Sequence, residues 1–208
     1  MNVGEIINQV RIILQEPTDD FYTRSELLSW INEGQKQFCL LSHLLHKNFE
    51  ITATAGVKEY SFPAALLKVE YVSYNNLKLS RVDIYELQLL NPNWEQAVAG
   101  KPTYYYFPRK RVIALYPPPD SSLTLRIIGV SSPAALVNDT DVPEIPDEYH
   151  PTLVNYTLYK AKLKDNSLPE ATSFLTLFNN STMQARIEGR WQDKRDKKFS
   201  FYPAIIVR

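Results

Sequence analysis

Several residue types are scarce in this chain of 208. Cysteine occurs once, methionine twice, histidine three times and glycine six times. A disulfide framework needs paired cysteines, a zinc or iron centre needs clustered histidine and cysteine, and a phosphate-cradling loop needs closely spaced glycines. The composition therefore excludes the common forms of all three. Net charge is missing too: 23 basic and 23 acidic side chains cancel, removing the overall field that draws nucleic acid or an anionic membrane. Any such contact has to be local. No apolar run of about 18 residues is present, and Glu5 and Arg11 sit inside an amphipathic N-terminal pattern unlike a signal-peptide core. The expectation is a soluble intracellular protein with no membrane association and no cofactor. Cys39 then serves as a small core hydrophobe in a helix.

What is abundant is aromatic and turn chemistry, with 13 tyrosines and 14 prolines in a chain of otherwise ordinary globular usage, 44% hydrophobic and 22% charged. Eight of the tyrosines and nine of the prolines fall between residues 49 and 145. That distribution predicts short strands separated by turns. The flanking stretches, 1–48 and 146–198, are predicted helical, and 199–208 is a separate tail.

In the first stretch Val3, Ile6, Ile7, Val10, Ile13 and Leu14 recur at helical spacing until Pro17. Thr23, Arg24, Ser25, Glu26 form a capping box that opens a second helix, with Leu27, Leu28, Ile31, Phe38, Leu41 and Leu45 as its apolar stripe. Strands 49–54 and 57–62 flank Ala55-Gly56, a predicted hairpin turn, and 66–74 and 77–79 flank Asn75-Asn76, a second one. Residues 82–90 (VDIYELQLL) read as a short helix begun by Asp83 and ended by Asn91-Pro92. Strands 103–107, 112–116 and 122–130 then read as an antiparallel meander, and 133–146 as an extended connection. A third long helix begins after Pro146. A fourth begins at Ser167, Leu168, Pro169, Glu170 and extends to about Asp196, long for a small domain. Tyr104-Tyr105-Tyr106 followed by Phe107 places aromatics on both faces of one strand, which requires burial from two sides, under helices of the same chain or under a neighbouring subunit.

The chemistry-bearing residues are few. His43 and His46 lie three apart, as two metal ligands on a helix would, but no third nitrogen or sulfur ligand is near. Asp19-Asp20 and the pair Asp139, Asp141 lack calcium-loop spacing and fit turns and caps. His150 has no nucleophile elbow beside it. Charge is more informative by segment: residues 1–48 carry 4 basic and 6 acidic side chains, 49–145 carry 9 and 10, and 146–208 carry 10 and 7. Arg190, Lys194, Arg195, Lys197 and Lys198 make the C-terminal region basic, with a smaller cluster at Arg109, Lys110 and Arg111. A solvated helix end and hairpin tip are the plain readings; contact with DNA phosphates or acidic partner surfaces is the other. The tail, FSFYPAIIVR, is apolar where solvated tails are polar. Either it packs on its own subunit or it adds to another chain.

Taken in order, FYTRSELLSWINEGQKQF, YSFPAALLKVEYV, GKPTYYYF, VIALYPPP and DVPEIPDEYHPTLVNYTLYKAKL resemble the head-to-tail adaptor (connector) proteins of tailed bacteriophages. The resemblance implies an α+β fold: a four-helix bundle (1–48 and 146–198) with an antiparallel β module (49–145) inserted between helices 2 and 3, plus an extended C-terminal tail. It implies a structural virion protein, not an enzyme, made in the host cytoplasm and placed in the neck below the portal. There a homo-oligomeric ring, usually of twelve copies, joins the portal protein to a downstream tail or nozzle protein and lines the DNA passage. On that reading Phe199, Phe201, Tyr202, Ile205, Ile206 and Val207 clasp the portal. Tyr105, Phe107, Arg109 and Arg111 meet a neighbouring subunit or tail component, and Arg190, Lys194, Arg195 and Lys198 face the portal or passing DNA, touched non-specifically. The alternative is a nucleic-acid-binding module acting through the local basic clusters. A small hydrolase or metal protein would instead require His43, His46 or His150 to converge with acids.

Overall fold

The first two helices start where side chains satisfy the free backbone N–H groups of a first turn. The computed structural model describes residues 1–199, with side chains through 189. Asn2 and Glu5 form a reciprocal capping box at the head of α1 (Val3–Leu14), and Thr23 and Glu26 form another at α2 (Arg24–Ser42). The long C-terminal pair is α4 (His150–Lys164) and α5 (Leu168–Phe199). At 32 residues, α5 is roughly 48 Å long by the rise of an α-helix. No helix among the described residues is long and apolar enough to cross a membrane.

These four helices belong to one compact unit, residues 1–45 with the described residues from 132 on. Its centre is α4, which packs against α1, α2 and α5 and buries residues all round, including Leu153, Val154, Tyr156, Leu158 and Ala161. The Tyr156 ring lies against Gly34 of α2, where an added Cβ would meet its atoms at 3.0–3.2 Å, and against Phe178 of α5 at a centroid distance of 4.8 Å. Only glycine lets α2 come that close. The Tyr156 hydroxyl donates to Glu33 (2.8 Å), which also accepts from Lys160; one turn further along α4, Lys164 pairs with Glu26 (2.8 Å). The stretch 132–146 is held by these helices: Gln35 donates to the Ala134 carbonyl (2.8 Å), and Asn32 exchanges two hydrogen bonds with Leu136 (2.8 and 2.9 Å). Cys39 is buried in this core.

The second unit, residues 46–131, is a pair of four-stranded sheets. The strands are β1 (His46–Thr52), β2 (Glu59–Ser61), β3 (Leu66–Tyr74), β4 (Leu77–Lys78), β5 (Ser80–Arg81), β6 (Tyr104–Arg109), β7 (Val112–Tyr116) and β8 (Thr124–Ser131). One sheet has the order β1-β8-β3-β4, the other β2-β7-β6-β5. Their facing sides share a core that includes Tyr60, Val72, Tyr74, Tyr105, Ile113, Leu115, Leu125 and Ile127. The outer side of the second sheet is covered by α3 (Ile84–Leu90) and a single 3-10 turn (Trp94–Gln96) through Leu87, Val82 and Trp94, packed on Tyr106 and Ala114.

The expected fold class needs correction. Among the described residues there are five α-helices and two sheets of eight strands in all, a mixed α+β chain and not a four-helix bundle carrying one antiparallel module. The fifth helix is the short α3, and the pairing of β5 with β6 is parallel. Two expected hairpins do not form. Gly56 adopts φ 78, as a turn glycine does, yet β1 pairs with β8 and β2 with β7, so the flanking strands enter different sheets. The turn closes, with the Val57 N–H on the Thr54 carbonyl (3.1 Å), but the next ladder bond is replaced by the Tyr60 hydroxyl, which accepts from the Thr54 N–H (3.1 Å) and donates to the Val57 carbonyl (2.7 Å). Likewise β8 leaves the expected meander to pair with β1 and β3. The turn at Asn75-Asn76 does join β3 to β4, with φ 47 and 62. On α1 and α2, Ile13 and Leu41, expected in the apolar stripes, are 50% and 42% exposed.

Gly129 of β8 sits where an added Cβ would lie 2.0 Å from the Lys68 carbonyl, beside the irregularity in β3. Gly129→Ala is expected to destabilise the protein by about 1–3 kcal/mol, read as a lowered denaturant midpoint. In the helical unit the carboxyls of Glu26, Glu33, Asp141 and Glu188 all lie below their ordinary values of 4.5 and 3.8. Lys164 and the Thr23 cap hold Glu26 down; burial raises Glu33, but Lys160 and Tyr156 outweigh it. Backbone N–H groups of Asn138 and Val137 lower Asp141, and Tyr149 and Gln184 lower Glu188. A depressed folded pKa means that the unfolded chain binds more protons in acid. Stability is therefore full above about pH 4.5 and falls as the pH drops through the folded values. Thermal melts should show that acid limb, and Glu26→Gln should flatten it while lowering the melting temperature at neutral pH; an unchanged limb contradicts the assignment.

Candidate functional site

The β6–β7 hairpin builds the most distinctive surface of the β unit. Tyr106 pairs with Ala114 and Arg109 with Val112, so Phe107 and Pro108 together oppose the single residue Ile113. Such a bulge suits proline, which has no N–H to give the ladder, and it bends the strand end away from the sheet. Before the bulge, Tyr105 and Tyr106 point to opposite sides and are both buried, at 6% and 5% exposure. Tyr105 faces the other sheet; Tyr106 meets Trp94 edge-on at 5.5 Å. Burial raises both phenol pKa values, so these rings stay neutral and act as packing groups. The two-sided burial that the triplet requires is supplied by the facing sheet β1-β8-β3-β4 and by α3.

Beyond the bulge the chain turns through Lys110 and Arg111, the latter at φ 62, and opens onto a groove of about 510 Å³. Its floor is apolar: Phe62, Leu67, Val69 and Phe107, with the two phenylalanine rings 6.3 Å apart, edge to face. Five cations line it as well, Lys68, Arg81, Arg109, Lys110 and Arg111. The Arg81 guanidinium lies over the Phe107 ring at 5.3 Å, an attraction that also fixes its direction. Two carboxylates oppose the cations, Glu59 bridging Arg109 (2.8 Å) and Glu70 bridging Lys68 (3.6 Å). Five positive charges against two negative leave the groove with an excess of positive charge above an apolar floor.

A second surface lies on α3. Leu87 is fully buried, while Tyr85 and Leu89, one turn apart on the opposite side of the helix, are each 70% exposed. Ile84 and Leu90 of the same helix are exposed as well. Asp83 and Glu86 cap the helix reciprocally, and Glu95 is exposed beside it. Lys58 reaches the Glu95 carbonyl, so the region is apolar with an acidic excess of three carboxylates over one cation.

Of the residues named from sequence, Phe107, Arg109 and Arg111 come together in the groove, whereas Tyr105 is interior and supports Phe107 at 5.7 Å. Phe62 and Arg81 complete the groove but were not singled out, because strand pairing, not sequence proximity, brings them there. Tyr85 and Leu89 were visible only as helix formers. The side chains of Arg190, Lys194, Arg195, Lys198 and Phe199, and all of Phe201, Tyr202, Ile205, Ile206 and Val207, lie outside the described residues. The histidines have separate environments: His43 ends α2 at φ 59, His46 pairs with Glu70 (2.7 Å), and His150 is buried with Nε2 at the Ile145 carbonyl (3.0 Å). Among the described residues no group of three or more histidine, cysteine, aspartate or glutamate side chains forms a metal site. Asp19 pairs with Arg11, Asp139 with Arg24, and Asp141 accepts the N–H groups of Val137 and Asn138 (2.8 Å each), which is turn and capping chemistry.

An apolar, charge-rimmed groove and an exposed helix face are surfaces of the kind that suit contact with other macromolecules. The family model of the SU10 adaptor protein matches residues 1–205, and the chain belongs to that family. It is accordingly a phage adaptor with a structural role, a component of the virion. No curated protein matches it.

Proposed function

We propose that this adaptor is a head-to-tail adaptor acting in the neck of the particle, as a ring of twelve copies that joins the portal protein to a downstream tail or nozzle protein around the DNA passage. The carrying observation is family membership over residues 1–205. The helical unit supplies support, since Ile12, Ile13, Leu177, Met183 and Ile187 are exposed at 46–67%, more apolar surface than a helix bundle in water needs. Side-by-side packing of helical units would cover it. Residues 199–208 clasp the portal through Phe199, Phe201, Tyr202, Ile205, Ile206 and Val207, and the basic stretch Arg190, Lys194, Arg195 and Lys198 faces the portal or the DNA. Phe107, Arg109 and Arg111 meet the next subunit or the tail component.

A nucleic-acid module acting through the groove is the rival. Its five cations favour that reading, but Glu59 and Glu70 neutralise two of them and the floor is aliphatic and aromatic. Cations beside aromatic rings also suit single-stranded nucleic acid, so what weighs against this reading is the pairing of Arg109 and Lys68 with carboxylates. A chain lacking 199–208 is expected to melt as the full chain does and to lose association with the portal, measured by native mass spectrometry of the mixture. Undiminished portal binding by the folded truncation would remove the clasp.

A further inference from the structure

The groove and α3 are complementary. The groove has an aromatic floor and an excess of cations; α3 projects Tyr85 and Leu89 from an acidic surface. They share no residue, so one copy can offer its helix to a second copy while its own groove receives the helix of a third. We propose that α3 of one subunit docks in the Phe62–Phe107 groove of the next. Tyr85 and Leu89 enter as the apolar anchors, and Asp83, Glu86 and Glu95 meet Arg81, Lys110 and Arg111. This deepens the ring reading and rests on it.

Three observations select this occupant. A short helix with two large apolar residues at i and i+4 is the form that enters grooves, and tyrosine is favoured as an anchor because its ring brings area at little entropic cost. Charge fits in sign: the groove's excess of cations meets a surface with three carboxylates, Asp83 and Glu86 on α3 and Glu95 on the following turn, against the one cation Lys58 at the Glu95 carbonyl, which steers docking and opposes the pairing of groove with groove or helix with helix. The chain's own terminal segment has the wrong sign, since 197–208 carries Lys197, Lys198 and Arg208 and no acid. A contact between two different patches is heterologous, and it generates a closed ring when its rotation divides a full turn. Every subunit then gives one helix and receives one.

The test uses the full chain with Gln88→Cys on α3 and Lys68→Cys on the groove wall, exposed positions outside the proposed anchors and charge pairs, mixed with the portal and mildly oxidised; the native Cys39 is buried. A ladder of disulfide-linked copies is expected, absent when either substitution is made alone. Adding Arg111→Glu should cut the ladder at least tenfold, and adding Glu95→Lys to that chain should restore it. A parallel mass measurement separates the two readings. A ring without a ladder overturns this contact and leaves the ring reading standing; neither ring nor ladder defeats both. A ladder indifferent to Arg111→Glu overturns the charge pairing. If Arg111→Glu instead abolishes salt-sensitive binding of duplex DNA while no ladder forms, the groove belongs to nucleic acid.

Discussion

Two consecutive tyrosines on one strand force burial from both sides, and much of the β unit follows from that. Tyr105 and Tyr106 cannot share a face, so β6 must lie between two apolar layers. The first layer is the opposing sheet, with Val72, Leu125 and Ile127; the second is α3 with Leu87 and the Trp94 turn. Covering Tyr106 fixes which side of α3 is buried and hence which side is exposed. Tyr85 and Leu89 face outward because Leu87 faces in. At the other end of β6 the Phe107-Pro108 bulge frees the strand from that arrangement and turns the hairpin into the rim of the groove. Both surfaces available for binding are thus consequences of how one strand is buried.

In the helical unit the comparable role belongs to Tyr156. Its ring touches α2 at Gly34 and α5 at Phe178, and its hydroxyl reaches Glu33. Glu33 and Glu26, two turns apart on α2, face Lys160 and Lys164, one turn apart on α4. Each pair is partly exposed and contributes little alone. Their effect is to set the register of two helices whose apolar contacts, being non-directional, would tolerate sliding.

Local signals were legible where the interaction that decides them is local. The capping box at Thr23 and Glu26, the helix start at Asp83, the turn at Asn75-Asn76 and the positive φ of Gly56 all involve residues within a few positions of each other. Strand partnership was legible where a tight turn joins neighbours, as in β3 with β4 and β6 with β7, and not where distant groups settle it: Tyr60 takes the Thr54 N–H and the Val57 carbonyl beside Gly56, and β8 finds β1 and β3 some 50 to 80 residues away. The same limit explains the site. Phe107, Arg109 and Arg111 stood out as an aromatic and basic cluster, while Phe62, Lys68 and Arg81 joined them only through the fold. Tyr105 drew notice for its size and proved to be interior. The basic run after Ile187 and the apolar tail were read from composition, and their side chains lie outside the described residues.

These features suit a subunit that works by contact. Balanced net charge avoids indiscriminate attraction to DNA or membranes, while local excesses of opposite sign on the groove and α3 give direction to assembly. Exposed apolar side chains on α1, α3 and α5 supply area once partners exclude water. The most direct test of the structural role is the copy number of this chain in purified particles, by quantitative mass spectrometry against the portal subunit. The account predicts twelve copies per particle, in fixed ratio to the portal; its absence from particles, or presence at a small fraction of the portal, would contradict it.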